Sequence, residues 1–227
     1  MSDFPFDIVG FDLDGTLLDT SGDLAAAVNH ALVLAGREPL SVQDIRSKIG
    51  GGAKNMLRLA LDETGGCDEA EFRRLHKELL GFYEAHIADH SVVFDGLPDA
   101  IASLHERGVK TAIVTNKFES LAEKLMREIG LRDSFACLIG GDTMGKSFAK
   151  PHRAPIDEMI RRCGGGRTAF VGDSIYDIQA AQNAGVPAIA VSFGFVTGPV
   201  EELGADAVID SYADLLPTLE RLDQPTG

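Results

Sequence analysis

Four short polar segments each follow a stretch of sequence predicted to be a strand or the loop after one. They are Asp12-Leu13-Asp14-Gly15-Thr16, Thr115-Asn116, Lys150-Pro151 and Gly172-Asp173-Ser174, with Asp177 one helical turn further on. In an open parallel α/β sheet, ligands bind beyond the carboxyl ends of the strands, so these side chains are expected to meet at one edge. Each segment alone is weak evidence, because acidic pairs and lysines are common in loops. Four such segments in order along the chain, each beyond a predicted strand, together indicate a site.

The residue types in these segments suit phosphoryl transfer. Asp12 and Asp14 are two residues apart, so an extended chain directs both side chains to the same side. Clustered carboxylates repel one another unless a cation lies between them, and hard oxygen ligands without His or Cys select Mg²⁺. One carboxylate can attack phosphorus, while another exchanges protons with the leaving oxygen and the attacking water. Donors from Thr115, Asn116 and Lys150 would bind the phosphoryl oxygens.

The elements that must position these residues alternate between strands and helices. Strands are predicted at 6–11, 109–115, 135–139, 168–171, 188–191 and 207–209, and helices follow at 118–129, 154–163, 176–184 and 212–222. This alternation predicts an α/β fold, with a Rossmann-like parallel sheet covered by helices on both faces.

The stretch after the first strand departs from the alternation. About 75 residues pass with helices only, whereas an ordinary crossover needs a dozen or so. Helices are predicted there at 23–35, 41–50, 53–63 and 68–90. We therefore predict two domains: residues 1–19 and 92–227 form the α/β core, and residues 20–91 form an inserted all-helical domain.

Composition and charge exclude several classes of protein. The chain has 227 residues, of which 44% are hydrophobic and 25% charged, as in ordinary globular proteins. With 21 basic and 35 acidic residues its formal charge is −14, which disfavours binding to nucleic acid or to a membrane surface. No apolar run reaches the ~18 residues of a membrane span, and the N-terminus lacks a basic segment before an apolar core, which favours the cytoplasm. Cys67, Cys137 and Cys163 are expected to be reduced thiols.

Residues 10–20, GFDLDGTLLDT, resemble the first motif of the haloacid dehalogenase superfamily of phosphohydrolases, in its phosphoglycolate phosphatase branch. Lys150-Pro151-His152 and Gly140-Gly141-Asp142-Thr143 are similar to later motifs of the same branch, and the resemblance covers essentially the whole chain. It implies that the helical insertion is a cap that closes over the substrate. Closure would exclude water from the reacting groups.

The resemblance also implies roles for the acidic residues. Asp12 would be the nucleophile and a Mg²⁺ ligand. Asp14 would be the general acid and base, and its backbone carbonyl would bind the same ion. Asp173 would be the third protein ligand of the metal, and Asp177 would support the site from nearby.

The remaining core residues have implied roles as well. Thr115 and Asn116 would hold the phosphoryl group, and Lys150 would neutralise charge on the nucleophile and the phosphate. The segment 144–149 is longer than in the family pattern, so Lys146 is an alternative to Lys150, but the proline after Lys150 favours the latter. Arg153 stands where the family has proline, which leaves the loop geometry open.

The helical insertion bears on the substrate. Residues 50–55, GGGAKN, form a glycine-rich turn at a predicted helix start, and free helix N–H groups bind anions. Lys54 could add a charge there to bind the carboxylate of 2-phosphoglycolate, or it could be a solvated lysine at a helix start. We therefore expect a Mg²⁺-dependent phosphomonoester hydrolase with an aspartyl-phosphate intermediate, acting on a small phosphorylated metabolite, with 2-phosphoglycolate as the expected substrate. A monomer and a homodimer are both compatible with the sequence.

Other functions stay open on the same residues. A sugar-phosphate or nucleotide phosphatase, or a phosphoglucomutase-type isomerase, would share the phosphoryl chemistry. A signalling receiver also places acids, a Thr and a Lys on a parallel sheet. Its phospho-acceptor lies on a later strand than its acidic pair, however, and it has no helical insertion, so it is the weaker interpretation.

Overall fold

The computed structural model describes residues 4–49 and 51–222. The chain divides into two compact units, one formed by Met1–Leu18 with Val93–Gly227 and the other by Asp19–Val92. Each division point differs by one residue from the domain boundary predicted from the sequence. No helix within the described ranges is long and apolar enough to cross a membrane.

The first unit is built on a six-stranded parallel sheet. Its strands are β1 (Ile8–Phe11), β4 (Lys110–Val114), β5 (Leu138–Ile139), β6 (Thr168–Gly172), β7 (Ala188–Val191) and β8 (Ala207–Ile209). They are arranged in the order β5-β4-β1-β6-β7-β8. Counted along the chain, this is the 3-2-1-4-5-6 order of doubly wound sheets, whose switch point lies between the first and fourth strands. The predicted Rossmann-like sheet is therefore confirmed, with β1 and β6 on either side of the switch point.

Strand register determines where the site forms. Phe11, the last residue of β1, is level with Ile113 of β4 on one side and Val171 of β6 on the other. The chain segments that follow these three strands therefore leave the sheet at the same edge. All four residues of β1 are buried, as expected for the centre of a sheet covered on both faces.

Helices flank this sheet. They are α5 (Leu97–Glu106), α6 (Glu119–Glu128), α7 (Ala154–Arg162), α8 (Ile175–Ala184) and α9 (Leu215–Leu222). Ile156 and Met159 of α7 and Ile178 of α8 join Ile8 and Phe170 of the sheet in one fully buried cluster. Burying apolar side chains of this size stabilises the fold by about 1.5–3 kcal/mol each. This packing fixes the starts of the helices that carry site residues.

The second unit is helical. It contains α1 (Ser21–Leu34), α2 (Val42–Arg46), α3 (Gly52–Glu63) and α4 (Glu69–Ala85). The Ser41 side chain accepts a hydrogen bond from the backbone N–H of Asp44 and so caps α2, which ends at Arg46. The predicted helix end at Gly50 lies outside the described residues.

Helix α4 is shorter than predicted. It ends at Ala85, five residues before the expected end at His90. The buried carboxylate of Asp23 accepts hydrogen bonds from the backbone N–H of His90 (2.9 Å) and the hydroxyl of Ser91 (2.6 Å). Because the N–H of His90 is bonded to a side chain of α1, it is not available to a helical carbonyl. A contact distant in sequence thus determines the conformation of this segment.

Helix α5 and strands β2 and β3 were not predicted. Helix α5 begins after Gly96, which has a φ of 79°, and Pro98 occupies its first turn. These are ordinary helix-start signals, and they were available in the sequence. Strands β2 (Leu18–Asp19) and β3 (Val92–Val93) form a separate two-stranded sheet. At two residues each, they are too short to leave a periodic pattern in the sequence.

Candidate active site

The segment after β1 forms a tight loop at the carboxyl edge of the sheet. The Asp12 N–H still donates to the Val171 carbonyl (2.9 Å), so Asp12 continues the line of β1. The Leu13 carbonyl then accepts from the N–H groups of Leu17 (3.0 Å) and Leu18 (3.1 Å), which turns the chain back on itself. Asp12 and Asp14 therefore lie together at the start of one short, internally bonded segment.

Gly15 is required in this loop for two reasons. Its φ of 86° lies in the left-handed region that side chains disfavour, and a Cβ at this position would be 2.1 Å from Oδ2 of Asp173. The close approach places the backbone beside Asp14 against the carboxylate that follows β6. Two of the predicted segments thus meet directly.

Lys150 connects three parts of the site. Its buried Nζ donates to Oδ1 of Asp12 (2.7 Å), Oδ1 of Asp177 (2.5 Å) and the carbonyl of Val114 (2.7 Å). Burial alone would lower the pKa of Lys150, but the charges of Asp12 and Asp177 raise it above its usual value. The side chain of Lys146, the alternative lysine, lies outside the part of the chain that the structure describes.

Asp177 is held at both carboxylate oxygens. Oδ1 accepts from Lys150, and Oδ2 accepts from the backbone N–H (3.0 Å) and hydroxyl (2.5 Å) of Ser174. Asp177 lies in the first turn of α8, where a carboxylate also interacts favourably with the helix dipole. It is therefore suited to fix Lys150 in place.

Three carboxylates form a buried acidic cluster. Asp12, Asp173 and Asp177 each offer an oxygen, and these oxygens all lie within 4.8 Å of one another. Burial and the charge of Asp177 raise the pKa of Asp12 to about 7, although Lys150 opposes the shift. Burial, with the charges of Asp177 and Asp12, raises the pKa of Asp173 well above its usual range, although the Phe195 N–H donates to it (2.6 Å).

This arrangement fits a divalent cation. With Asp14, the site holds four carboxylates against the two ammonium groups of Lys117 and Lys150, which leaves two formal negative charges. Burial first, and then the neighbouring carboxylates, raise the pKa values of Asp12 and Asp173. An all-oxygen donor set suits Mg²⁺ better than zinc or copper.

Lys117 is a site residue that sequence reasoning missed. Its Nζ donates to both oxygens of Asp14, at 2.6 and 2.8 Å, and its side chain is only 6% exposed. It stands two residues after Thr115, in the same segment beyond β4. The available signal was this position, because any polar residue that leaves the carboxyl edge of the sheet is a candidate for the site.

Thr115 and Asn116 also lie at this edge. Thr115 is buried, and its hydroxyl accepts a bond from the Lys117 N–H (3.2 Å). The Asn116 amide donates to the backbone carbonyl of Lys150 (3.1 Å), which ties the second segment to the third. Oδ1 of Asn116 is buried and has no hydrogen-bond partner among the described residues.

Lys54 belongs to the other unit. It lies in the first turn of α3, and its side chain is exposed. The predicted role of Lys54 in binding the substrate carboxylate stays a prediction.

The loop after β1 is also anchored from the C-terminal part of the chain, which leads to a stability prediction. The buried hydroxyl of Tyr212 donates to the Thr16 carbonyl (2.7 Å). Tyr212→Phe leaves that carbonyl without this donor, so we expect the free energy of unfolding to fall by about 1–2 kcal/mol. Urea denaturation measures the change. Tyr176→Phe, at a partly exposed tyrosine of α8, is the control and should have little effect; equal losses in both variants would contradict the anchoring role.

The strand order defines a Rossmann-like α/β protein. At the switch point of its sheet lies an acidic cluster that Lys150 contacts and that could hold a metal ion. A family model described as haloacid dehalogenase-like hydrolase matches residues 6–185, and the chain belongs to this family. The resemblance found in the motifs is thereby confirmed, and the protein is a hydrolase.

Individual relatives agree with the family. The chain is 40% identical over 213 residues to a phosphoglycolate phosphatase of Agrobacterium fabrum, a match covering 92% of this chain and 90% of the relative. It is 37% identical over 210 residues to a phosphoglycolate phosphatase of Caulobacter vibrioides, covering 91% and 88%. The crystal structure of a predicted phosphoglycolate phosphatase from Haemophilus somnus superposes with a TM-score of 0.88 at 28% identity, covering 95% of this chain and 99% of that one.

Proposed function

We propose that this protein is a Mg²⁺-dependent phosphatase that hydrolyses 2-phosphoglycolate through a phosphoryl group carried on Asp12. The observation that carries the proposal is the contact of buried Lys150 with Asp12, at the sheet edge where Asp14, Thr115 and Asp173 also lie. The relatives named phosphoglycolate phosphatase support the choice of substrate. The cytoplasm as its compartment, and a monomer or homodimer as its assembly, stay predictions.

Asp12 is the nucleophile in this proposal. Lys150 binds its Oδ1, which leaves the other carboxylate oxygen to attack phosphorus in line with the leaving ester oxygen. The P–O bond to the substrate breaks as the bond to Asp12 forms, and the product is an acyl phosphate. Thr115 and Asn116 would donate to the phosphoryl oxygens and orient them for the attack.

Asp14 moves the protons. As an acid it donates a proton to the departing oxygen of glycolate; as a base it then withdraws one from the water that attacks the acyl phosphate. Phosphate leaves, and Asp12 is regenerated as a carboxylate. Lys117 donates to both oxygens of Asp14 and would hold this side chain in place.

The acidic cluster supplies the metal site. The carboxylates of Asp12 and Asp173, with the backbone carbonyl of Asp14, would hold Mg²⁺, and Asp177 would position Lys150. When bound, the ion neutralises charge on the nucleophile and on the phosphoryl oxygens. The helical unit would serve as a cap that closes over the substrate and excludes water until the leaving group departs.

A substrate screen tests the function. Phosphate release is measured with 2-phosphoglycolate, sugar phosphates and nucleoside monophosphates, with Mg²⁺ and after removal of metal by a chelator. We expect the highest kcat/KM for 2-phosphoglycolate, many turnovers per enzyme and loss of activity without the metal. A higher kcat/KM for a sugar phosphate or nucleotide would overturn the substrate, and a single stoichiometric release would support a receiver instead.

A separate prediction concerns Lys54 of the helical unit. If Lys54 binds the substrate carboxylate, Lys54→Ala raises KM for 2-phosphoglycolate about tenfold and changes kcat little, because a charged hydrogen bond made in the ground state is lost. Steady-state kinetics measures both constants, with Lys77→Ala on α4 of the same unit as control. Unchanged constants would remove Lys54 from the site.

A further inference from the structure

We propose that Lys117 determines the substrate preference of the site by binding the carboxylate of 2-phosphoglycolate beside Asp14. This inference rests on the proposed function. It assigns the recognition of the leaving group to a residue of the α/β unit, next to the group that protonates it.

The position of Lys117 follows from its contacts with the proposed proton donor. Nζ lies 2.6 and 2.8 Å from the two oxygens of Asp14. A proton donor must come within about 2.6–3.2 Å of the ester oxygen it protonates. Whichever Asp14 oxygen donates the proton is itself bonded to Nζ, so the ammonium group lies at most two hydrogen-bond lengths from that ester oxygen.

In the proposed substrate, the negatively charged carboxylate lies close to this ester oxygen. In 2-phosphoglycolate the carboxylate and the ester oxygen are attached to one CH₂ group, so the carboxylate lies immediately beside the atom that Asp14 protonates. Lys117 can then bridge the carboxylate of Asp14 and that of the substrate. Because its side chain is only 6% exposed, water screens this attraction weakly.

The ammonium group of Lys150, the other lysine at this edge, already donates to other groups. Lys150 donates to three acceptors, Oδ1 of Asp12, Oδ1 of Asp177 and the Val114 carbonyl, and an ammonium group has three N–H bonds. The substrate carboxylate would be a second anion near Asp14, and the chain, with its formal charge of −14, repels anions. A nearby cation is therefore needed to bind it. Lys117 is the lysine that lies beside Asp14, so we assign the binding of this anion to it.

The test compares two substrates of the same size, one with this negative charge and one without it. 2-Phosphoglycolate and its amide, 2-phosphoglycolamide, have the same shape, and the ratio of their kcat/KM values measures recognition of the carboxylate. We expect a strong preference for the acid in the unmodified enzyme. Lys117→Met should reduce the ratio about 10- to 100-fold, mainly through KM for the acid, as expected for loss of a charged hydrogen bond.

Three further variants serve as controls for this test. Lys117→Gln retains a donor without the charge and should reduce the ratio similarly, while Lys117→Arg should restore most of it. Lys124→Met, at a partly exposed position of α6, changes the net charge equally and should leave the ratio as it is. Circular dichroism confirms that each variant is folded.

The outcomes distinguish this inference from the proposed function. If Lys117→Met and Lys117→Gln slow both substrates equally, Lys117 only positions Asp14 and the inference is wrong, whereas the proposed function stands. The inference is also wrong, and the proposed function again stands, if Lys54→Ala reduces the ratio and neither Lys117 variant does. If the unmodified enzyme does not prefer 2-phosphoglycolate to its amide, the proposed substrate itself fails.

Discussion

Asp12→Asn is expected to abolish turnover of 2-phosphoglycolate, with a fall in kcat of about 10⁴-fold or more. The amide has the size of the carboxylate but is not a nucleophile, so no acyl phosphate forms. Lys150 would keep two of its three acceptors, Asp177 and the Val114 carbonyl, so the fold should survive. Phosphate release under saturating substrate and Mg²⁺ measures the effect.

The control for this variant is Asp157→Asn, an exposed position on α7 with the same change in charge. It should retain full activity. Substantial turnover by Asp12→Asn would show that another group attacks phosphorus, and the assignment of the nucleophile would be wrong.

Asp14→Asn is expected to slow hydrolysis of 2-phosphoglycolate about 10²- to 10⁴-fold, the usual contribution of a general acid and base. The backbone carbonyl at this position is unchanged, so the metal site should remain. With p-nitrophenyl phosphate, whose leaving group needs no proton, the variant should still transfer the phosphoryl group to Asp12. Loss of the base then prevents its hydrolysis.

Stopped-flow absorbance distinguishes these two steps. Asp14→Asn should release one equivalent of nitrophenolate in a burst and then turn over very slowly. Asp12→Asn should show no burst, which is the matched comparison. Normal steady-state rates in Asp14→Asn, with either substrate, would contradict the role of this residue in proton transfer.

Much of the site is predictable because its residues directly follow buried strands. The apolar segments that end at Phe11, Val114 and Gly172 are recognisable from composition, and parallel pairing brings their carboxyl ends together. The residues after them, including Asp12, Thr115 and Asp173, are therefore expected near one another from the sequence alone.

Contacts between side chains are less predictable. The ion pair of Lys117 with Asp14 joins residues 103 positions apart, and a single lysine after a strand has no spacing that distinguishes it from a solvated one. The same holds for Asp23, whose hydrogen bond to His90 accompanies the early end of α4. Such pairings depend on how helices and loops pack, which local propensity does not specify.

The identity of the phosphorylated residue is the most direct test of the proposed mechanism. Asp14→Asn is mixed with p-nitrophenyl phosphate and Mg²⁺, quenched in acid and digested, and the phosphoryl group is located by mass spectrometry of the peptides. We predict that it lies on Asp12 and is absent when Asp12→Asn is added to the same chain. A phosphoryl group on any other residue, or none in a variant that has released its burst, would contradict the mechanism.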